Sequence, residues 1–322
     1  EITKDKIIKF ISEKRQASAN DLLGFFNISR QAIHKQLKRL QEEKKIYKIG
    51  RPPKVFYLLA GDIIKDEENT VEKETKDMIE ENFLTISPSG EKVSGFQGFV
   101  FWCQKHNLPI EKTSEEYRQT IEKYAKYKKG GFIDGMYKMK TTFENVAVDK
   151  LVYLDFYSIE RFGKTKLGQL LLYAKQSQSR ELINELISII KPEIEEVVKK
   201  FNIDAVGFIP PTVKREIQLM KEIEKRLNLS IPNINLVKVK TSVTVPQKTL
   251  SKLEDRIENA KNTIIVDDSK KYENILLIDD ALGSGATINE TAKKIKDQKI
   301  SNFVIGLAIT GSFSGFEIIS EV

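Results

Sequence analysis

The stretch Glu273–Ala292, ENILLIDDALGSGATINETA, decides how the larger part of this chain folds. The apolar run Ile275–Ile278 predicts a strand buried on both faces, and it delivers two adjacent carboxylates, Asp279 and Asp280, to its C-terminal end. A glycine-containing loop follows and opens a helix expected from about Ile288. In an open α/β sheet, that edge is where ligands bind. Gly283 and Gly285 let the backbone fold tightly with its N–H groups turned inward, Ser284 and Thr287 add hydroxyl donors, and a helix start favours negative charge. Ala281, Leu282, Gly283, Ser284, Gly285, Ala286 and Thr287 therefore read as a phosphate cradle preceded by two acids.

The acid pair separates this motif from its rivals. A Walker loop needs a Lys before Ser or Thr, which is absent, and a dinucleotide fingerprint places its acid about twenty residues later. Two carboxylates immediately before a phosphate loop would instead hold the hydroxyls of a ribose whose 5′-phosphate lies in the loop, directly or through Mg2+. The order of apolar strand, Asp279-Asp280 and Ser284-Gly285-Ala286-Thr287 resembles the phosphoribosyl diphosphate (PRPP) motif of type I phosphoribosyltransferases. A second acid pair, Asp267-Asp268 after Val266, lacks glycines and leads into Ser-Lys-Lys, so it reads as a solvated turn.

The resemblance extends backward over residues 146–322 and implies a Rossmann-like fold with a parallel sheet. Ala205–Ile209 reads as a buried strand before a helix over 213–228, and Pro210, Pro211 and Thr212 stand where the family binds pyrophosphate, with Lys214 and Arg215 close by. Ile234–Val239 is a further strand. The polar stretch from Gln247 to Asn259 is similar to the flexible loop of ComF-like phosphoribosyltransferase domains, with Lys248, Lys252 and Arg256 as its candidate cations. Residues 150–157 and the tail 311–316 are both open as the part that would recognise a base. The resemblance implies Mg2+ as cofactor and, for an active enzyme, displacement of pyrophosphate from ribose C1 without a covalent protein nucleophile. Positioning, charge stabilisation and exclusion of water would then carry the reaction. Transfer and mere sensing of PRPP or a nucleotide need the same acids and loop, so both stay open.

The first 60 residues ask for a different partner. They carry 14 Lys or Arg against 6 Asp or Glu, a net +8, whereas the other 262 carry 39 against 40. Ile7, Ile8 and Ile11 have helical spacing, Ser18 can cap a second helix that turns Leu22, Leu23 and Phe26 inward, and Ser29 can cap a third with Ile33, Leu37 and Leu40 as its apolar stripe. Arg30, Gln31, His34, Lys35 and Lys38 fall on its other faces. Two alternating runs, 45–49 and 54–59, flank Gly50-Arg51-Pro52-Pro53. The order resembles a winged helix-turn-helix domain over residues 3–60, which implies binding to nucleic acid, duplex DNA first. Lys35, Lys38, Lys48 and Lys54 would then contact phosphates, Arg30, Gln31 and His34 base edges, and Arg51 a minor groove.

Three segments are thus expected within an α/β chain: a nucleic-acid-binding domain over 1–60, a mostly helical connector or interaction segment over 61–145, and the phosphoribosyltransferase-like domain over 146–322. The aromatics Phe96, Phe99, Phe101 and Trp102 in the middle read as core. One cysteine, Cys103, and two histidines, His34 and His106, leave no disulfide framework and no Cys/His zinc site within one chain, which points to a cytoplasmic setting. No apolar run reaches the roughly 18 residues of a membrane helix, so no membrane partner is expected, although the start at Glu1 leaves a removed leader open. The order of domains suits a ligand-responsive DNA-binding regulator. The alternative is an active phosphoribosyltransferase acting on a base, nucleic acid or protein, for instance in a phage-defence module. A homodimer is open in either case.

Overall fold

The apolar stripe of the third helix meets the expectation of a three-helix core. In the computed structural model, which describes residues 4–14, 17–26, 28–43, 45–51, 54–59, 71–106, 108–213, 215–239 and 245–312, helices α1 (Lys4–Lys14), α2 (Ala19–Phe26) and α3 (Arg30–Glu42) bury Ile7, Ile11, Leu22, Ile33, Leu37 and Leu40 together. Phe10 joins this core, while Leu23 and Phe26 are only half-buried against it. Ser29 Oγ accepts the Ala32 N–H at 3.2 Å, and Ser18 and Asp21 exchange hydrogen bonds at the start of α2, so both expected caps form. Strands β1 (Ile46–Arg51) and β2 (Lys54–Leu59) make an antiparallel hairpin with Arg51 opposite Lys54, and Ala17 bridges to Tyr57 beside it.

The chain forms two compact units, residues 1–118 and 119–322. The first continues with α4 (Lys73–Asn82), the short hairpin β3 (Leu84–Ile86) and β4 (Lys92–Ser94), and α5 (Gly95–Lys105); α6 (Ile110–Ala125) begins in it. Phe83, Phe99 and Tyr117 pack ring to ring at 5.2–5.6 Å, so the aromatics of this segment close a core.

The second unit starts well before the expected boundary near residue 145. The reason is pairing: β5 (Lys128–Lys129) and β6 (Phe132–Asp134) form a hairpin whose second strand joins β7 (Lys150–Phe156), with α7 (Met136–Thr142) between them. After the small hairpin β8 (Ser158–Ile159) and β9 (Gly163–Lys164) come α8 (Lys166–Ser177), α9 (Arg180–Lys200), β10 (Ala205–Phe208), α10 (Leu219–Leu227) and β11 (Leu236–Lys238). Then follow α11 (Leu253–Thr263), β12 (Ile264–Val266), β13 (Asn274–Leu282), α12 (Ala286–Asp297) and β14 (Phe303–Gly311). The six-stranded sheet has the order β10-β13-β14-β7-β6-β5, the first four strands parallel. β11 lies outside it and pairs antiparallel with β12.

Ile275, Leu276, Leu277 and Ile278 are all fully buried, which requires cover on both faces of the sheet. Two groups of helices provide it: α8, α9 and α10 pack on one another, and so do α11 and α12. β10 ends opposite Ile278, but β13 runs on for four residues paired only with β14. That step opens a crevice beside the C-terminal end of β13, between strands whose following helices, α10 and α12, belong to different groups. Among the described residues no helix is long and apolar enough to cross a membrane.

Candidate functional site

Strand β13 is longer than its apolar run suggests, and this changes the geometry of the acids. The expected loop from Asp279 onward is strand as far as Leu282, because Asp279 pairs with Ala308, Ala281 with Thr310 and Leu282 with Gly311. Only Gly283, Ser284 and Gly285 remain as the turn, and α12 starts at Ala286 rather than near Ile288. Asp279 and Asp280 therefore stand on the end of a strand and not in a loop; the Asp280 N–H donates to Asp279 Oδ1 at 2.8 Å, and the two carboxylates line the same cleft.

Lysines face both acids, and the Lys175 charge acts on Asp279 as well as on Asp280. The Lys175 ammonium, from the last turn of α8, donates to the Asp280 carboxylate. Lys238 of β11 adds positive charge near Asp279, and its Nζ donates to Asn259 Oδ1 at 3.2 Å. Burial, reinforced by the Asp280 charge, holds the Asp279 carboxyl above the usual carboxylate range. Burial pulls Lys238 down to about 8, against the attraction of Asp279.

Helix α8 is anchored firmly enough to aim Lys175. Thr165 caps it, accepting the Gly168 N–H at 3.0 Å while donating to the Phe156 carbonyl at 2.6 Å. Gly168 is required there, since a Cβ would come within 2.2 Å of the Tyr157 carbonyl oxygen. The other end of α8 holds the loop after β10: Arg215 donates to the Lys175 carbonyl, and the Ile217 N–H donates to Gln178 Oε1 at 2.7 Å. This tether explains why α10 begins at Leu219 and not, as expected, at Val213.

The turn itself is tight. Gly285 has φ +83°, a conformation that favours glycine, and a Cβ there would lie 2.6 Å from Met139 Sδ of α7. Ser284 Oγ accepts the Ala286 N–H at 3.3 Å, and the first i−4 bond of α12 runs from the Asn289 N–H to the Gly285 carbonyl. Thr287 and Ile288 thus precede the helical ladder and place their N–H groups at its positive end. Lys138 of α7, a buried cation, reaches Ser312 Oγ at 3.0 Å beside this turn.

A cleft of about 180 Å³ brings these parts together. Pro210, Pro211, Thr212, Arg215, Arg256 and all of Asp279–Thr287 line it. Lys175, Lys238 and Gln247 line it as well. Gln247 begins the polar stretch likened to a flexible loop, whereas nothing in the local sequence marks the two lysines. Arg256 differs from expectation in kind: it lies inside α11, is only 5% exposed, and donates through Nε to the Leu250 carbonyl at 2.8 Å. It is a wall of the cleft carried by a helix. Lys252 sits exposed at the start of α11 and does not line the cleft. Lys214, the Lys248 side chain and the tail beyond Ser312 lie outside the described residues. Of residues 150–157, one candidate for base recognition, Lys150–Phe156 form strand β7, with Lys150 exposed, Asp155 half-buried and the other five buried. Asp267 and Asp268 occupy a turn and bond to Asn235 and to the Lys270 N–H, away from the cleft.

In the first unit Arg30, Gln31, His34, Lys35 and Lys38 are exposed on α3, and Lys48 is exposed on β1. Arg51 and Lys54 face each other across the turn of the hairpin, and their side chains lie outside the described residues.

No family model and no curated protein matches the chain. Among solved structures it is similar to an adenine phosphoribosyltransferase, at 12% identity over 42% of this chain and 73% of that one, with a TM-score of 0.28. It is also similar to a hypoxanthine phosphoribosyltransferase from Staphylococcus aureus, at 15% identity over 40% of this chain and 65% of the other, with a TM-score of 0.25. At these values the functional reading rests on the chain's own residues.

The acids do not suit a directly ligated Mg2+. The Lys175 ammonium already takes the Asp280 carboxylate and its charge also acts on Asp279, and among the described residues no group of three or more His, Cys, Asp or Glu side chains gathers as a metal site.

Proposed function

We propose that the cleft at the end of β13 binds PRPP or a related ribose 5-phosphate derivative, and that the N-terminal 60 residues are a winged helix-turn-helix that binds duplex DNA. The chain is then a ligand-responsive DNA-binding regulator. One observation carries the first half: a glycine turn at a helix start, two strand-end carboxylates and four cations, Lys175, Arg215, Lys238 and Arg256, share one cleft. A sugar bearing a phosphate at one end and a pyrophosphate at the other matches that layout, with hydroxyls for the acids and anionic oxygens for the turn and the cations. The second half rests on the exposed polar and basic face of α3 and on the +8 charge of residues 1–60.

The second reading is catalysis. The cations beside the loop 210–215 stand where departing pyrophosphate charge would need stabilisation, and an enzyme would use them for that. Both readings are tested by calorimetric titration with PRPP followed by a pyrophosphate-release assay over bases and nucleic acids. Asp279→Asn with Asp280→Asn should weaken PRPP binding far more than it lowers thermal stability; unchanged affinity rejects the site. Regulation further requires reciprocity: if PRPP changes DNA affinity, DNA must change PRPP affinity by the same factor. Equal DNA affinity with and without PRPP, together with pyrophosphate release, leaves the enzyme reading.

A further inference from the structure

We infer that Lys175 is a built-in counter-cation of the ligand cleft, so that this chain holds PRPP without needing a divalent metal ion. The inference rests on the PRPP reading and adds to it the cation that the site uses. Its starting point is the arrangement of charge around β13. A metal ion at this strand end would have to displace a cation that already faces both carboxylates. Asp279 and Asp280 both line the cleft, and the Lys175 charge acts on Asp279 as well. Asp280 meets the Lys175 ammonium, with side-chain exposures of 15% and 24%. An ion pair this far out of water is not exchanged for a hydrated cation without leaving the ammonium unpaired, which is costly.

The position of Lys175 is set by structure and not by chance contact. Thr165 and Gly168 pin the start of α8 to the end of β7, and the carbonyl of Lys175 itself receives Arg215 from the loop after β10. One residue therefore joins the acid side of the cleft to its cationic side. The chemistry also fits: an ammonium has three donors, and one of them is on Asp280. The remaining two can meet phosphate oxygens while Asp280 keeps lone pairs for a ribose hydroxyl. The role that a divalent ion would play, a positive centre between carboxylate and pyrophosphate, is filled by a side chain.

Calorimetry with PRPP, in EDTA and in saturating Mg2+, tests this on the full chain and on Lys175→Met and Lys175→Arg. The wild type should bind in both buffers with affinities within about threefold. Lys175→Met should lose about tenfold or more in EDTA, about 1.4 kcal/mol per decade, and recover most of it in Mg2+. Lys175→Arg, which keeps the cation, should stay close to wild type in EDTA. Thermal melts of each variant separate lost folding from lost binding. Wild-type binding that appears only with Mg2+ overturns the inference and leaves the PRPP site standing. A Lys175→Met loss that is equal in both buffers also overturns it. Absence of PRPP binding in either buffer rejects the PRPP reading and the inference with it.

Discussion

Met139 of α7 lies against Gly285 of the glycine turn so closely that a methyl group on Gly285 would sit 2.6 Å from its sulfur. The helix before β7 thus supports the turn after β13, and Gly285 is needed for folding before any ligand arrives. Its φ of +83° adds a second reason, since a side chain there is strained whatever the space.

Gly285→Ala is accordingly expected to cost at least about 2 kcal/mol in urea denaturation, from the left-handed backbone and the overlap together. Met139 is fully buried, so Met139→Ala should cost about 2–5 kcal/mol alone. The double variant should lose less than the sum, because the new methyl enters space that the sulfur has left. Strict additivity would show that the two residues do not share that space.

Thr165→Ala should lower stability by about 1–2 kcal/mol, removing the α8 cap and stranding the Phe156 carbonyl. Thr165→Ser keeps both hydrogen bonds and should restore most of the loss. Because α8 carries Lys175, the Ala variant should also weaken PRPP binding in calorimetry.

Asp155, at the end of β7 beside Thr310 of β14, gives a dependence on pH. Burial, only partly offset by Lys128, pushes its carboxyl up to about 6 from 3.8. The folded protein therefore holds this proton more tightly than the unfolded chain, so stability falls as pH rises from about 4 to about 6 and stays lower above that. Asp155→Asn still offers an oxygen to the Phe156 N–H, which the carboxylate accepts at 2.8 Å. It should gain on the order of 2–3 kcal/mol at pH about 8 and almost nothing at pH about 4. Denaturant melts across that range check the sign.

For the N-terminal unit, DNA binding should weaken steeply with salt, and deletion of residues 1–60 should abolish it. Lys35→Ala and Lys38→Ala should each weaken all sequences alike and flatten the salt slope by about one unit. Lys38 sits 3.9 Å from Glu42 in a pair whose lysine is 80% exposed, too weak an attachment to withhold it from a phosphate. Substitutions at Arg30 or Gln31 should instead change sequence preference, read by competition binding.

What could be read from the sequence was local. Ser29 and the stripe Ile33, Leu37 and Leu40 specify α3 within one helix, and the order strand, acids, glycine turn, helix lies within twenty consecutive residues. Hydrophobic periodicity and capping act over three or four residues, which is why these elements and the candidate ligand turn were legible.

Tertiary structure decided the chemistry around that turn. Pairing with β14 extended β13 through Leu282, which put Asp279 and Asp280 on the strand and left only three residues for the turn. Lys175, 105 residues from Asp280, became the partner of that acid, because Gly168 lets α8 approach the backbone at Tyr157. Arg256, in the sequence a candidate loop cation, is a buried wall of the cleft on α11, which packs on α12. The sequence by itself determined which segment would fold into a glycine turn between strand and helix, since backbone conformation there follows from neighbouring residues. Which charges face the turn was decided only by the fold, since an ion pair depends on distance in space and leaves no periodicity along the chain.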